Sequence, residues 1–310
     1  MFKKLMKKQF IKVRDGMYQN DLKNIEKQKD NTTIDVSEFQ YFEDNHPMHK
    51  LNIYTSKDLD KSKSYPLIID IHGGGWIYGD KDLNGLLAME FASKGYIVMT
   101  MSYRLILDNF TITDMLFDIN EAITYIVKNA SNFNIDLNKV SLMGDSAGGH
   151  LALLISAIYN STFLESTYKI NKANIKFQNI ILNHPAPFIH TVNLLKDKKL
   201  INKFIERYFN LFMYGKFYKH EARYIYADVR NFINYLPKDI NYYVISSTND
   251  TVCGYQYYDL IALFKAHEFN YEAYLEDDPS CGHVYNVTQP FLDISKKCND
   301  AIDTFIKKHI

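Results

Sequence analysis

Leu142–Leu151 reads LMGDSAGGHL, a single serine with glycines two residues before and two residues after it. The residues leading in, KVSLM, are apolar and β-branched and predict a buried strand, while GGHLALLISAIY behind them predicts a helix. A serine at a sharp strand-to-helix turn presents its hydroxyl outward, and the flanking glycines let neighbouring backbones approach closely. Glycine-flanked serines also occur at ordinary turns. Ser146 is therefore a nucleophile only if the rest of the chain supplies a base, an acid and a place for negative charge.

Working outward, a second glycine run, His72-Gly73-Gly74-Gly75-Trp76, follows the predicted strand YPLIIDI. Attack on an ester carbonyl puts negative charge on oxygen, which needs preorganised N–H donors. Glycines offer backbone N–H groups with no side chain in the way. The expected donors are the N–H groups of Gly73 and Gly74, joined by that of Ala147 at the positive end of the following helix. His72, Gly75 and Asp145 are expected to support this loop. The run is neither G-x-G-x-x-G nor a P-loop, which argues against phosphate binding.

HGGGW followed some 70 residues later by GDSAGG resembles the α/β-hydrolase superfamily, in the branch of hormone-sensitive-lipase-type esterases, over about residues 48–300. The resemblance implies an eight-stranded, mostly parallel sheet and a catalytic triad in the order serine, acid, histidine. Asp250 follows the predicted strand INYYVISS, and His283, in the segment CGHVY, follows NYEAYLED. Both stand where loops at the carboxyl ends of strands converge. Asp277 and Asp278 are rival acids that suit the order less well. His283 is expected to take the Ser146 proton and return it to the leaving group, with Asp250 fixing the imidazole tautomer.

The implied activity is cleavage of short- to medium-chain acyl or aryl esters through an acyl-enzyme, with no cofactor or metal. Amide cleavage on the same triad and a non-catalytic binding protein that kept the fold are the alternatives. Where relatives often read D-Y-R-L-A-P-E, this chain has Ser102-Tyr103-Arg104-Leu105-Ile106-Leu107-Asp108, which alters the segment shaping the lower pocket.

Apolar runs alternating with helical periodicity over residues 36–310 predict an α/β fold with a mostly parallel, helix-covered sheet. Residues 190–235 interrupt the alternation with many aromatics, among them Phe204, Tyr208, Phe209 and Phe212, and read as a helical cap insertion. Residues 1–35 form a separate segment in which Phe2, Leu5, Met6, Phe10, Val13 and Met17 recur at helical spacing among lysines. This basic amphipathic helix is expected either to pack over the main domain as a cap or to trail from it as a tail, with membrane-surface contact by residues 1–17 as the alternative.

Lys and Arg balance Asp and Glu at 36 each, so net charge gives no footing for nucleic acid as a partner. The expected partner is a small-molecule ester, and no signal for an oligomeric state is present. Three scattered cysteines suit free thiols in a reducing compartment, and the chain shows no transmembrane run or signal peptide, so the cytoplasm is the expected location. His46 and His49 are expected at the surface, His150 in a structural role and Cys281 as a small filler.

Overall fold

A computed structural model describes residues 2–26, 33–190 and 199–310, with side chains described for 4–24, 33–190 and 206–310. The strands are β1 (Ile34–Gln40), β2 (Lys50–Ser56), β3 (Tyr65–Ile71), β4 (Ile97–Met101), β5 (Ile135–Asp145), β6 (Asn179–Asn183), β7 (Asn241–Ser247) and β8 (Tyr271–Glu276). They form one sheet of eight in the order β1-β2-β4-β3-β5-β6-β7-β8. The pairs β1–β2 and β2–β4 are antiparallel, and every pair from β4–β3 to β7–β8 is parallel. The expected α/β class and mostly parallel eight-stranded sheet are what the chain adopts. β1 starts at Ile34, paired with Ser56, so the expected division after residue 35 falls inside a strand.

The helices are α1 (Phe2–Glu26), α2 (Gly85–Ser93), α3 (Ile112–Lys128), α4 (Ala147–Tyr159), α5 (Thr162–Tyr168), α6 (Lys199–Tyr214), α7 (Ala222–Ile225), α8 (Val229–Phe232), α9 (Gly254–Ala266), α10 (Tyr285–Thr288) and α11 (Asp293–Lys308). Alternation along β3 shows why the sheet is covered on both sides. Leu67, Ile69 and Ile71 face a core shared with Leu116 and Ile119 of α3 and Leu151 and Leu154 of α4. Ile68 faces the other core, with Leu87 and Phe91 of α2 and Ile302 and Phe305 of α11. A strand that is apolar on both faces gains stability only when helices shield both.

Two helix boundaries follow directly from local chemistry. Thr111 and Asp114 form a reciprocal capping box at the start of α3. After α2, Gly95 takes φ +95°, and the Gly95 and Tyr96 N–H groups bond back to Ala92 and Phe91, a Schellman ending. Among the described residues, no helix is long and apolar enough to cross a membrane.

The insertion is helical where it is described, carrying α6, α7 and α8. Residues 191–198 of it, and the side chains of Phe2 and Phe204 named above, lie outside the described residues. The N-terminal helix α1 packs its apolar side inward. Phe10 lies 6.3 Å from the Phe209 ring and 5.9 Å from that of Phe212, both on α6. Its polar side meets the altered segment, with Arg14 at 3.9 Å from Asp108 and Lys7 at 3.5 Å from Asn109.

Candidate active site

β5 ends at Asp145 and α4 begins at Ala147, leaving Ser146 alone between them at φ 50°, ψ −116°. A non-glycine residue in the left-handed region is strained and persists only where its surroundings hold it. Here the Ser146 N–H donates to Asn183 at 2.9 Å, and its carbonyl accepts from Ala186 at 3.0 Å. The glycine requirement is steric. A Cβ on Gly144 would lie 2.5 Å from the Gly148 carbonyl oxygen, and one on Gly148 would lie 1.9 Å from that of Ile71.

The loops after β7 and β8 bring the other two groups to this turn. His283 Nε2 is 3.0 Å from Ser146 Oγ, and His283 Nδ1 is 2.9 Å from Asp250 Oδ2. With Nδ1–H donating to the carboxylate, Nε2 is left as the acceptor for the serine hydroxyl. Asp250 Oδ1 accepts from the N–H groups of Val252 at 2.8 Å and Cys253 at 2.9 Å. Burial pushes the Asp250 carboxyl up, but the His283 hydrogen bond and charge and the Cys253 N–H outweigh it, so the net shift is downward. Asp277 and Asp278 lie elsewhere, their N–H groups donating to Glu276.

The oxyanion loop differs from expectation at one residue. Gly73 does not aim its N–H at the cavity; it donates to Asp145 Oδ1 at 2.8 Å. Gly74 and Gly75 are the two that border the cavity beside Ser146, at φ +98° and +60°. Among the described residues their N–H groups, and that of Ala147, meet no acceptor. The physical reason is Asp145, whose buried carboxylate needs donors and takes them from Gly73 and from Asn84 Nδ2, also at 2.8 Å. Burial raises the Asp145 carboxyl to about 6.

His72 supports the loop from below, its Nδ1–H donating to the Gly73 carbonyl at 2.8 Å. Its ring stacks on Tyr103, whose hydroxyl donates to the His72 carbonyl at 2.7 Å. Burial lowers the His72 pKa to about 4, so the ring is neutral near pH 7. His150 points away from the nucleophile. It accepts from Trp76 Nε1 at 3.3 Å and donates from Nε2 to the Ala227 carbonyl at 2.7 Å, tying the oxyanion loop to the insertion.

One histidine expected at the surface is not there. His49 is buried between Asp44 and Asp118, at 2.8 and 3.2 Å, and Asp118 also holds Arg104. Among the described residues no cluster of His, Cys, Asp or Glu has the makings of a metal site.

Above Ser146, His283 and Asp250 lies a cavity of about 850 Å³, a volume suited to a small organic ligand. Its roof is α1, through Met6, Phe10, Val13 and Met17, together with Phe209 of the insertion. The sequence left this segment as a cap or a tail. The helical spacing of those residues was visible, but nothing in it says what their face covers. Sequence reading missed Asn84, which bridges Asp145 and Asp70, and Cys253, whose N–H donates to Asp250.

Among known proteins, the family described as BD-FAE matches residues 51–198. Isoprenylcysteine alpha-carbonyl methylesterase ICME of Arabidopsis thaliana is 38% identical over 109 residues, 34% of this chain and 24% of that protein. The chain thus spans about a quarter of the length of the curated relatives it matches. Among solved structures, esterase B from Lactobacillus rhamnosis superposes with a TM-score of 0.90 at 24% identity, covering 99% of this chain and 95% of that one. The form of esterase B inhibited by a tributyrin phosphonate gives 0.89 at 24% identity, covering 98% and 95%.

Proposed function

We infer that this chain is a serine hydrolase of the α/β-hydrolase superfamily that cleaves carboxylic esters through an acyl-enzyme, a reading supported by the family match over residues 51–198 and by the likeness to esterase B. The observation that carries this reading is the unbroken array from Ser146 Oγ to His283 at 3.0 Å and on to Asp250 at 2.9 Å, opening into a largely apolar cavity.

In this mechanism Ser146 Oγ attacks the substrate carbonyl carbon while His283 Nε2 takes its proton. Asp250 holds the tautomer and stabilises the imidazolium. The oxyanion rests on the N–H groups of Gly74, Gly75 and Ala147, the last at the positive end of α4. His283 then protonates the departing alcohol. Water, deprotonated by the same imidazole, releases the acid. The expected substrates are short- to medium-chain esters, because Met6, Phe10 and Phe209 give a cavity of about 850 Å³ an apolar wall. The tributyrin phosphonate bound by esterase B supports an ester as substrate.

In this reading α1 and the 190–235 insertion together act as a cap over the catalytic domain. The three thiols are unpaired, which supports a reducing compartment such as the cytoplasm. The test is hydrolysis of p-nitrophenyl esters from acetate to laurate, with Ser146→Ala alongside. Turnover that disappears in the variant upholds the reading. Equal turnover by both proteins overturns it.

A further inference from the structure

The cavity is not uniform along α1. Residues bordering it run from Met6 to Asn24 on that helix, roughly 27 Å of wall at 1.5 Å per residue. The first half is mainly apolar, Met6, Phe10 and Val13 with Gln9 among them, and meets the insertion through Phe10 and Phe209, with Glu206 of α6 also at the border. The second half contributes Asn20, Asp21 and Asn24 and meets α10, where Gln289 Nε2 donates to Asn24 Oδ1 at 2.8 Å.

The polar half lies on the histidine side. His283, Val284 and Tyr285 run straight into α10, and all three border the cavity. His283 delivers the proton to the leaving alcohol, so the alcohol departs on this side, and the acyl chain is left to the apolar half. Within the polar half stands Asp21. Among the described residues bordering the cavity there is no Lys or Arg, and the other carboxylates there are Asp145 beneath it and Glu206 on α6. Burial raises the Asp21 carboxyl above its ordinary value, as befits a carboxylate without a counter-ion.

We propose that Asp21 is a specificity-determining residue that selects esters whose alcohol portion carries a positive charge, such as a quaternary or primary ammonium, joined to an apolar acyl chain. A substrate cation supplies the missing counter-charge, and the aromatic residues Tyr78 and Tyr285 border the same cavity. An anionic alcohol is rejected, because it meets Asp21 with no cation to offset it. This rests on the ester-hydrolase reading above.

Butyrylcholine and 3,3-dimethylbutyl butyrate test it, since they differ by a charged nitrogen in place of a neutral carbon. The native protein is expected to show a kcat/KM ratio of about tenfold in favour of the cation. The ratio should fall to near one in Asp21→Asn and return in part in Asp21→Glu. A ratio unchanged by Asp21→Asn overturns the proposal while leaving the esterase reading intact. Binding of the alcohols alone, choline against 3,3-dimethylbutanol, read by ligand-observed NMR on the native protein and Asp21→Asn, needs no turnover. A choline preference lost in Asp21→Asn supports the proposal, and its absence from the native protein overturns it even if no ester is cleaved.

Discussion

The floor and the roof of the cavity are built on opposite principles. The floor is backbone geometry: Ser146 at a positive φ, glycines whose absent Cβ atoms make room for carbonyls as close as 1.9 Å, and a histidine held within 3.0 Å of the serine. The roof is side-chain burial, an amphipathic helix and an aromatic-rich insertion held by ring contacts such as Phe10 with Phe209 and Phe212. A floor of this kind tolerates almost no substitution without losing chemistry. A roof of this kind changes by degrees, since apolar contact is non-directional and roughly additive in area.

That contrast breaks down if floor substitutions prove mild. Ser146→Ala is expected to lower kcat by about a millionfold, with thermal stability retained. Fluorophosphonate labelling should vanish with the activity, and labelling at the native level would remove Ser146 from its role. Asp250→Asn keeps the shape but allows the wrong imidazole tautomer, so a loss of about 10⁴-fold in kcat is expected in the same assay. A loss below tenfold would hand the acid's role to another residue.

A subtler test of the floor concerns Asp145. Its carboxyl sits at about 6 in the folded chain against an ordinary 3.8, so the folded state keeps a proton that the unfolded chain has given up. The stability it contributes is full below the unfolded value and is lost as pH rises through about 6, on the order of 3 kcal/mol over that window. Asp145→Asn removes the charge and keeps an acceptor for Gly73 and Asn84. Urea titrations at pH 4, 5, 6 and 7 should therefore show a flatter profile in the variant, whereas parallel profiles would mean that Asp145 ionises without cost.

The roof should respond most gently. Phe10→Ala is expected to reduce kcat/KM for p-nitrophenyl octanoate by about tenfold, one decade per 1.4 kcal/mol, and for the acetate by less. Equal losses on both esters would mean that Phe10 holds the roof together instead of contacting the acyl chain. The charge test at Asp21 belongs to the same comparison, because it asks whether the polar half of the roof discriminates as the apolar half does.

Much of the floor was legible before any coordinates. G-x-S-x-G between a strand and a helix and HGGG after a strand are local patterns tied to backbone events that few other residues permit. Asp250 and His283 after the last two strands were picked out by the order the family resemblance implies. Gly73 was misread because its N–H is captured by Asp145, 72 residues away in sequence, and a donor's acceptor across such a gap leaves no trace in local pattern. His49 was misread for the same reason, since Asp118 buries it from 69 residues away.

The sequence by itself determined the period of each element and the sharp turn at Ser146, because φ/ψ sterics and hydrophobic periodicity act within a few residues. The order of serine, acid and histidine is what the resemblance of its motifs to a known family implies. Only the tertiary structure decided which glycine N–H groups stay free, that α1 borders the cavity through Met6, Phe10, Val13 and Met17, and that Asp21 borders it too. Those outcomes depend on which surfaces are left to cover and which charges are left to pair once the sheet has closed. Both are properties of the packed whole, in which residues distant along the chain compete for the same donors and the same apolar ground.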